Sequence, residues 1–153
     1  MFFRKALLSD LEEMQKLFAE TIQSVCKSDY NSEQIKVWVS GAKNKERWLD
    51  VINTQFIELA IIDNKIVGFG TLKNENYIDL LFIHKDFQRQ GIAQKLYNAL
   101  ETEATKHKNT FLTADVSKTA KPFFEANGFK VIAEQIQIRT EVEIPNYNMK
   151  KDL

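Results

Sequence analysis

A seven-residue apolar run, followed by a glycine-containing turn and an amphipathic stretch, limits this chain more than any other feature of its sequence. Tyr77–Ile83 reads YIDLLFI, and its aromatic and β-branched content is typical of a buried strand. Ile92, Leu96 and Leu100 then recur at helical spacing. The sequence therefore predicts a strand that passes through a short turn into a helix whose apolar face packs on a sheet.

The turn itself, residues 88–93 (QRQGIA), predicts an anion site. Backbone N–H groups at the start of a helix lack partners within the helix and lie at the positive end of its dipole, so they suit a pyrophosphate. Gly91 and Ala93 have small side chains that would let phosphate oxygens approach these groups. The alternative is an ordinary strand–helix connection with an incidental glycine, and the spacing alone leaves both interpretations open.

The remaining pattern predicts a single domain, residues 1–153, in which strands and helices alternate. The other predicted strands are Phe2–Lys5, Phe56–Ile62, Phe111–Val116 and residues 66–73, 130–138 and 140–149. Helices are predicted for residues 9–26, 32–41, 44–52, 92–107 and around residues 119–127. This order predicts a mixed α/β or α+β sheet with helices on both faces.

Composition and charge argue against several function classes. Lys plus Arg and Asp plus Glu number 21 each, so the net charge of zero gives no footprint for nucleic acid or an anionic membrane surface. One cysteine excludes an internal disulfide, and with two histidines it cannot build a zinc site of Cys and His ligands, so no metal is expected. Neither a membrane span nor a signal peptide is predicted, and a cytoplasmic location is expected.

Two motifs about thirty residues apart, residues 81–93 (LFIHKDFQRQGIA) and residues 120–129 (AKPFFEANGF), can be considered together. They resemble the GNAT superfamily of acetyl-CoA-dependent N-acetyltransferases. The first motif is similar to that family's strand followed by Q/R-x-x-G-x-G/A, with Lys85 where a proline is frequent, and the second is similar to its A…lYek.GF segment. The element order also agrees, so the resemblance covers nearly the whole chain. It implies a twisted, mainly antiparallel sheet of about seven strands.

The resemblance implies acetyl-CoA as the acyl donor. Amides of residues 89–93 would hold the pyrophosphate, and the strand with Phe82 and Ile83 would diverge from its neighbour to expose main-chain groups to the pantetheine arm. Ser117 stands where the family often has an asparagine that meets the cofactor, although it can equally cap a helix. The expected cofactor-binding residues are Phe82, Ile83, His84, Gln88, Arg89, Gln90, Gly91, Ile92, Ala93, Ser117 and Phe124.

The resemblance also implies an amine acceptor, either a small molecule or a peptide. In the family, the region between the first strand and the hairpin forms much of the acceptor pocket. Tyr30, Trp38 and Trp48 lie in that region, and with Tyr77 they are the expected acceptor-side residues. The alternative is that these aromatic side chains anchor short helices to the core.

Asp79 is the first candidate for the base that removes a proton from the amine. Strict alternation along the strand places it on one face with Tyr77, Leu81 and Ile83, and the family often keeps a basic carboxylate near the start of this strand. Asp79 would act directly or through a water, and burial among apolar neighbours is expected to raise its pKa and so improve it as a base. A structural aspartate is the alternative, and Glu58 and His84 are weaker candidates.

Phe124 departs from the family pattern, because many members carry a tyrosine there that protonates the departing thiolate. Water, or a hydroxyl from Tyr30, Tyr77 or Tyr147, is expected to substitute, since a thiol with a pKa of about 8.5 is a fair leaving group. An acyl-enzyme is not expected, because no G-x-S-x-G motif occurs and Cys26 is far in sequence from either histidine.

Two other function classes stay open. One is a non-catalytic domain that binds or senses acyl-CoA, for which Phe124 is the supporting feature. The other is a nucleotide or phosphate binder, which is weakened because the chain has no G-x-x-x-x-G-K-[ST] motif. A homodimer also stays open, since Pro145 predicts that the last strand is an edge strand or irregular, and such an edge can pair with a second copy.

Overall fold

The structure, a computed structural model, describes residues 1–153 as seven strands and five α-helices joined by short turns. The strands are β1 (Phe2–Lys5), β2 (Phe56–Ile62), β3 (Lys65–Lys73), β4 (Tyr77–Ile83), β5 (Phe111–Val116), β6 (Lys130–Arg139) and β7 (Val142–Asp152). The helices are α1 (Leu11–Val25), α2 (Ser32–Ser40), α3 (Lys45–Thr54), α4 (Ile92–Lys106) and α5 (Lys121–Ala126). The predicted element order is confirmed.

All seven strands form one sheet in the order β1-β2-β3-β4-β5-β7-β6. Every neighbouring pair is antiparallel except β4 and β5, which are parallel. Side chains of α1, α2 and α3 form a core on one face, here called the α1 face. Side chains of α4 and α5 form the core on the opposite α4 face. The predicted mixed, mainly antiparallel sheet with helices on both faces is therefore confirmed.

Glycines in β3 let α4 lie close against the sheet. A Cβ atom at Gly68 would lie 3.1 Å from Leu96 Cδ1, and one at Gly70 would lie 3.1 Å from Leu100 Cδ1. Both leucines are fully buried on α4. Because a larger residue in β3 would push the helix away, these glycines help to hold the start of α4 at the end of β4.

A β-bulge in β4 changes which side chains face which layer. The pairing of β3 with β4 shifts register beside Thr71, and Asp79 is left without a partner. Ile78 consequently packs in the core on the α4 face, whereas Asp79 turns to the α1 face and contacts Arg47 of α3. The expectation that Asp79 shares a face with Leu81 is wrong, because strict alternation does not continue through a bulge.

Strands β4 and β5 separate soon after they begin. Their pairing is limited to two residue pairs, the second of which joins Ile78 to Ala114. Beyond Ile78, one edge of β4 over residues 79–83 has no strand partner. The space between the two strands is here called the wedge. It confirms the predicted divergence of the strand that carries Phe82 and Ile83.

The edge strand at the end of the sheet opposite β1 is β6 and not β7. Because β7 lies between β5 and β6, the edge alternative predicted for the last strand is wrong. Pro145 is accommodated because β5 ends at Val116, opposite Tyr147, so that Pro145 has only β6 beside it. Its missing N–H group therefore removes no hydrogen bond to β5.

Candidate active site

The wedge opens into a cavity with a volume of about 1150 Å³. All of the predicted catalytic, cofactor-binding and acceptor-side residues line it except His84 and Gln90. The wall on one side comes from β4, the turn after it and the start of α4; on the other side it comes from α2, α3 and the β6–β7 hairpin. The fold thus brings together residues that are more than 100 positions apart in the sequence.

The turn after β4 is braced by its own side chains. Gln88 Nε2 donates a hydrogen bond to the carbonyl oxygen of Ile83 at 2.6 Å, and the N–H group of Asp86 donates to His84 Nδ1 at 3.1 Å. Burial, together with the charge of Lys65, lowers the pKa of His84, so its imidazole is neutral at pH 7. The His84 ring is buried against Phe87 and does not line the cavity.

The start of α4 has the geometry that an anion requires. Gly91 precedes the helix with a φ of +81°, and a Cβ atom there would meet no other atom within 4 Å. Arg89 also has a positive φ, and its side chain is exposed. Ile92 is buried in the core, so only its backbone is available to a ligand. These residues fit a pyrophosphate held by backbone N–H groups.

The aromatic residues near the acceptor side have different roles. Trp48 is only 2% exposed and its indole N–H donates to a backbone carbonyl, which makes it a core anchor. The Tyr30 hydroxyl donates to the Pro145 carbonyl at 2.7 Å and accepts from the Lys118 N–H group at 2.9 Å. Trp38 packs edge-on against the Tyr30 ring at 5.4 Å. Since the Tyr30 proton is already donated, that hydroxyl is not a free acid.

Asp79 is held in a two-point ion pair. Arg47 donates to its two oxygens at 2.8 and 3.0 Å, and Gln55 Nε2 donates to Oδ2 at 2.7 Å. Burial is the largest single influence and favours the neutral acid, but the two donors and the charges of Arg47 and Lys73 outweigh it and lower the pKa of Asp79. The expectation of a raised pKa is wrong, because the strand sequence does not show the cation.

A second carboxylate, Asp115 of β5, faces the same cavity, and sequence reasoning missed it. The Tyr77 hydroxyl donates to its Oδ2 at 2.8 Å, and Gln135 Nε2 and Asn148 Nδ2 donate to its Oδ1 at 2.6 and 3.2 Å. Burial and the hydrogen bond to Asp115 raise the pKa of the Tyr77 hydroxyl, so Tyr77 is protonated at neutral pH. Asp79 and Asp115 are the only carboxylates that line the cavity. Alternation along β5 was the available signal for Asp115.

Ser117 and Phe124 line the cavity near the start of α5. Ser117 Oγ accepts a hydrogen bond from the Ala120 N–H group at 3.1 Å, which stabilises the turn before the helix. Phe124 is 5% exposed, and its ring packs edge-on against Phe123 and Phe129 at 5.6 and 5.0 Å. This position therefore offers a ligand an apolar surface and no proton.

No three His, Cys, Asp or Glu side chains are grouped so that they could hold a metal ion. None of the helices combines the length and the apolar character that a membrane crossing needs.

Comparison with known proteins places the chain among acetyltransferases. The profile of a family described as an acetyltransferase (GNAT) domain matches residues 26–153. The chain is 31% identical to the uncharacterized N-acetyltransferase YafP of Escherichia coli K12 over 126 residues, 82% of this chain and 79% of that protein. A solved GCN5-related N-acetyltransferase from Rhodopseudomonas palustris matches with a TM-score of 0.95 and 27% identity, over 99% of this chain and 95% of that one. The PaiA N-acetyltransferase of Thermoplasma acidophilum, solved with coenzyme A, has the same fold, with a TM-score of 0.81, 21% identity and coverage of 99% and 98%.

Proposed function

The chain belongs to the GNAT family of acetyltransferases, and from this premise we propose that it moves acetyl from acetyl-CoA to a primary amine by direct attack. The observation that carries the proposal is the wedge. The free edge of β4 leads through the turn of residues 84–91 to α4, and Gly91 immediately precedes this helix. A pantetheine arm can add to such an edge as a strand does, while the turn holds the pyrophosphate. We further propose that residues 1–153 act as one domain, because a single sheet contains both walls of the cavity.

The cofactor-binding residues are proposed to act in two ways. Residues 89–93 contribute backbone N–H groups, and Phe82 and Ile83 contribute main-chain atoms along the wedge. Gln88 supports this surface indirectly through its hydrogen bond to Ile83. The PaiA enzyme, which has the same fold, was solved with coenzyme A, and this supports the choice of donor.

The side chains in the cavity favour direct attack over an acyl-enzyme. Cys26 lines the cavity but is buried, and burial raises the pKa of its thiol, so little reactive thiolate is present at neutral pH. No histidine lines the cavity to activate it. The amine therefore has to attack the thioester itself.

Protonation of the departing thiolate is assigned to solvent. Phe124 has no hydroxyl, the Tyr30 proton is donated to a backbone carbonyl, and the Tyr77 proton is donated to Asp115. A thiol with a pKa of about 8.5 tolerates the loss of an acid better than an alcohol or an amine would. The cavity is open, so water can reach the sulfur.

Binding of the donor is tested by thermal unfolding. Acetyl-CoA at a hundredfold excess over its Kd is expected to stabilise the protein by about 2.7 kcal/mol, which is a shift of several degrees in Tm. ATP and NAD at the same concentration are the controls and are expected to leave the Tm unchanged. An equal shift with all three ligands would contradict the coenzyme A assignment.

Catalysis is tested by following the release of free thiol from acetyl-CoA with a panel of small amines and peptides. At least one amine is expected to raise the rate well above the background. If acetyl-CoA raised the Tm but every amine gave only background release, a non-catalytic acyl-CoA sensor would replace the enzyme. Phe124 is the observation that favours this second candidate.

A further inference from the structure

We propose that Asp115, oriented by Tyr77, binds the ammonium group of the acceptor and takes its proton. The inference rests on the proposed acetyl transfer and names the residue pair that receives the amine. The acceptor is the primary amine of that proposed function, which arrives as a cation. Asp79 then has a positioning role, because it holds Arg47 in the wall beside it.

The position of Asp115 follows from the sheet. Ile78 and Ala114 are the last paired residues of β4 and β5, and Asp79 and Asp115 come next on the two strands. The two carboxylates therefore flank the narrow end of the wedge. Leu112 and Val116 of β5 are buried on the α4 face, so alternation places Asp115 on the α1 face, together with the displaced Asp79.

The two carboxylates differ in charge balance. Asp79 is neutralised by Arg47, whereas the three donors to Asp115 are a phenol and two amides, none of which carries charge. No Lys or Arg nitrogen lies within 4 Å of Asp115. Asp115 is therefore an exposed carboxylate at the wall of the cavity, and no Lys or Arg side chain pairs with it.

The three donors fix the orientation of the Asp115 carboxylate but leave some of its lone-pair positions free. They come from β4, β6 and β7, so three strands fix its orientation. Tyr77 occupies one of two lone-pair positions on Oδ2, and the other stays available. A cation that fills this position makes a charge-assisted hydrogen bond, which is stronger than a neutral one. A site built in this way selects an ammonium and disfavours a carboxylate.

The proton balance of the step is as follows. The ammonium loses one proton to Asp115, and the neutral nitrogen then forms a bond to the acetyl carbon as the carbon–sulfur bond breaks. The nitrogen then releases a second proton to solvent, and solvent protonates the departing thiolate. The products are an amide and the free thiol, and Asp115 returns its proton to water.

Asp115→Asn tests the inference, since it removes the charge and keeps the size and an acceptor for Tyr77. With butylamine and 1,4-diaminobutane as acceptors, kcat/KM for the amine is expected to fall on the order of ten- to hundredfold. The KM for acetyl-CoA is expected to stay within about twofold. Tyr77→Phe is expected to give a smaller loss of the same kind. Asp152→Asn, an exposed aspartate of β7, is the charge-matched control.

A second measurement does not depend on turnover. In the coenzyme A-bound protein, butylamine is expected to shift the NMR signals of the Gln135 and Asn148 side-chain amides, which contact Asp115, and butanol is not. These shifts are expected to vanish in Asp115→Asn. Equal shifts with butylamine and butanol, or kinetics of Asp115→Asn that match Asp152→Asn, would overturn the inference. Failure of acetyl-CoA to raise the Tm of the wild type would instead overturn the proposed function.

Discussion

Asp10 and Asp79 are both carboxylates bound at two points by an arginine, but only Asp79 lies in the cavity. Arg4 donates two hydrogen bonds of 2.8 Å to Asp10, and they lower the pKa of Asp10. Arg47 likewise helps to lower the pKa of Asp79. A folded-state pKa below the unfolded value stabilises the protein above the unfolded pKa, and this stabilisation is lost as the pH falls through the folded pKa. Asp10 and Asp79 can therefore be compared as two carboxylates with the same kind of ion pair, one outside the cavity and one inside it.

Asp79→Asn and Asp10→Asn are each expected to lower the free energy of unfolding at pH 7 by about 1–2 kcal/mol, because each breaks one charged pair. The difference from the wild type is expected to shrink as the pH falls below about 4. Urea unfolding at pH 7 and pH 3 measures both effects. A difference that grows toward pH 3 would contradict the lowered pKa values.

The same two variants separate stability from catalysis. Asp79→Asn is expected to depress kcat with little change in the KM for acetyl-CoA, whereas Asp10→Asn is expected to leave both unchanged. The pH–rate profile of Asp79→Asn then decides between base and positioning residue. An unchanged profile would remove Asp79 from the base role, and a lost acidic limb would restore it in place of Asp115.

At the scale of the elements, the turn before α4 has a local backbone shape that suits the proposed anion site. Gly91 and Gly128 both have positive φ, +81° and +93°, in the turns before α4 and after α5. Only Gly91 lines the cavity. Alanine at either position is strained by its backbone conformation, which costs on the order of 1 kcal/mol.

Gly91→Ala and Gly128→Ala are therefore expected to lower the Tm by similar amounts. Only Gly91→Ala is expected to raise the KM for acetyl-CoA several-fold, because its Cβ atom would stand in the open space at the helix start. Thermal unfolding and steady-state kinetics on both variants provide the comparison. If Gly128→Ala raised this KM equally, the turn would not be the pyrophosphate site.

At the scale of the whole molecule, the sheet order leaves β6 as a free edge next to the cavity. Ile132, Ile136 and Ile138 on this strand are 60%, 57% and 68% exposed. An exposed apolar edge strand favours pairing with another chain. The homodimer stays a prediction, and the edge strand that could pair with a second copy is β6 rather than β7.

Ile136→Lys is expected to shift the protein toward the monomer in light scattering coupled to gel filtration, because a charge at the pairing edge disfavours strand addition. Leu8→Lys is the control, since Leu8 is also exposed and apolar but lies beside β1 at the opposite end of the sheet. A wild type that is monomeric at high concentration would contradict the prediction.

Most of the fold could be predicted from sequence because its signals are local. The period of Ile92, Leu96 and Leu100 and the composition of residues 77–83 each lie within one element. The turn at Gly91 also lies between two predicted elements, so its position could be predicted before the structure was known. The wedge followed from a resemblance in the same stretch, and the structure confirmed it.

The chemistry of the cavity depended on contacts between distant residues. The bulge at Asp79 arises from register against β3, which the β4 sequence does not contain. Arg47 lies 32 positions from Asp79, and Gln135 reaches Asp115 from β6. The sequence by itself determined the elements and the glycine turn before α4, because backbone shape and hydrophobic period act over a few residues. Only the tertiary structure decided which carboxylate is paired and which is free, because electrostatic partners are set by distance in space.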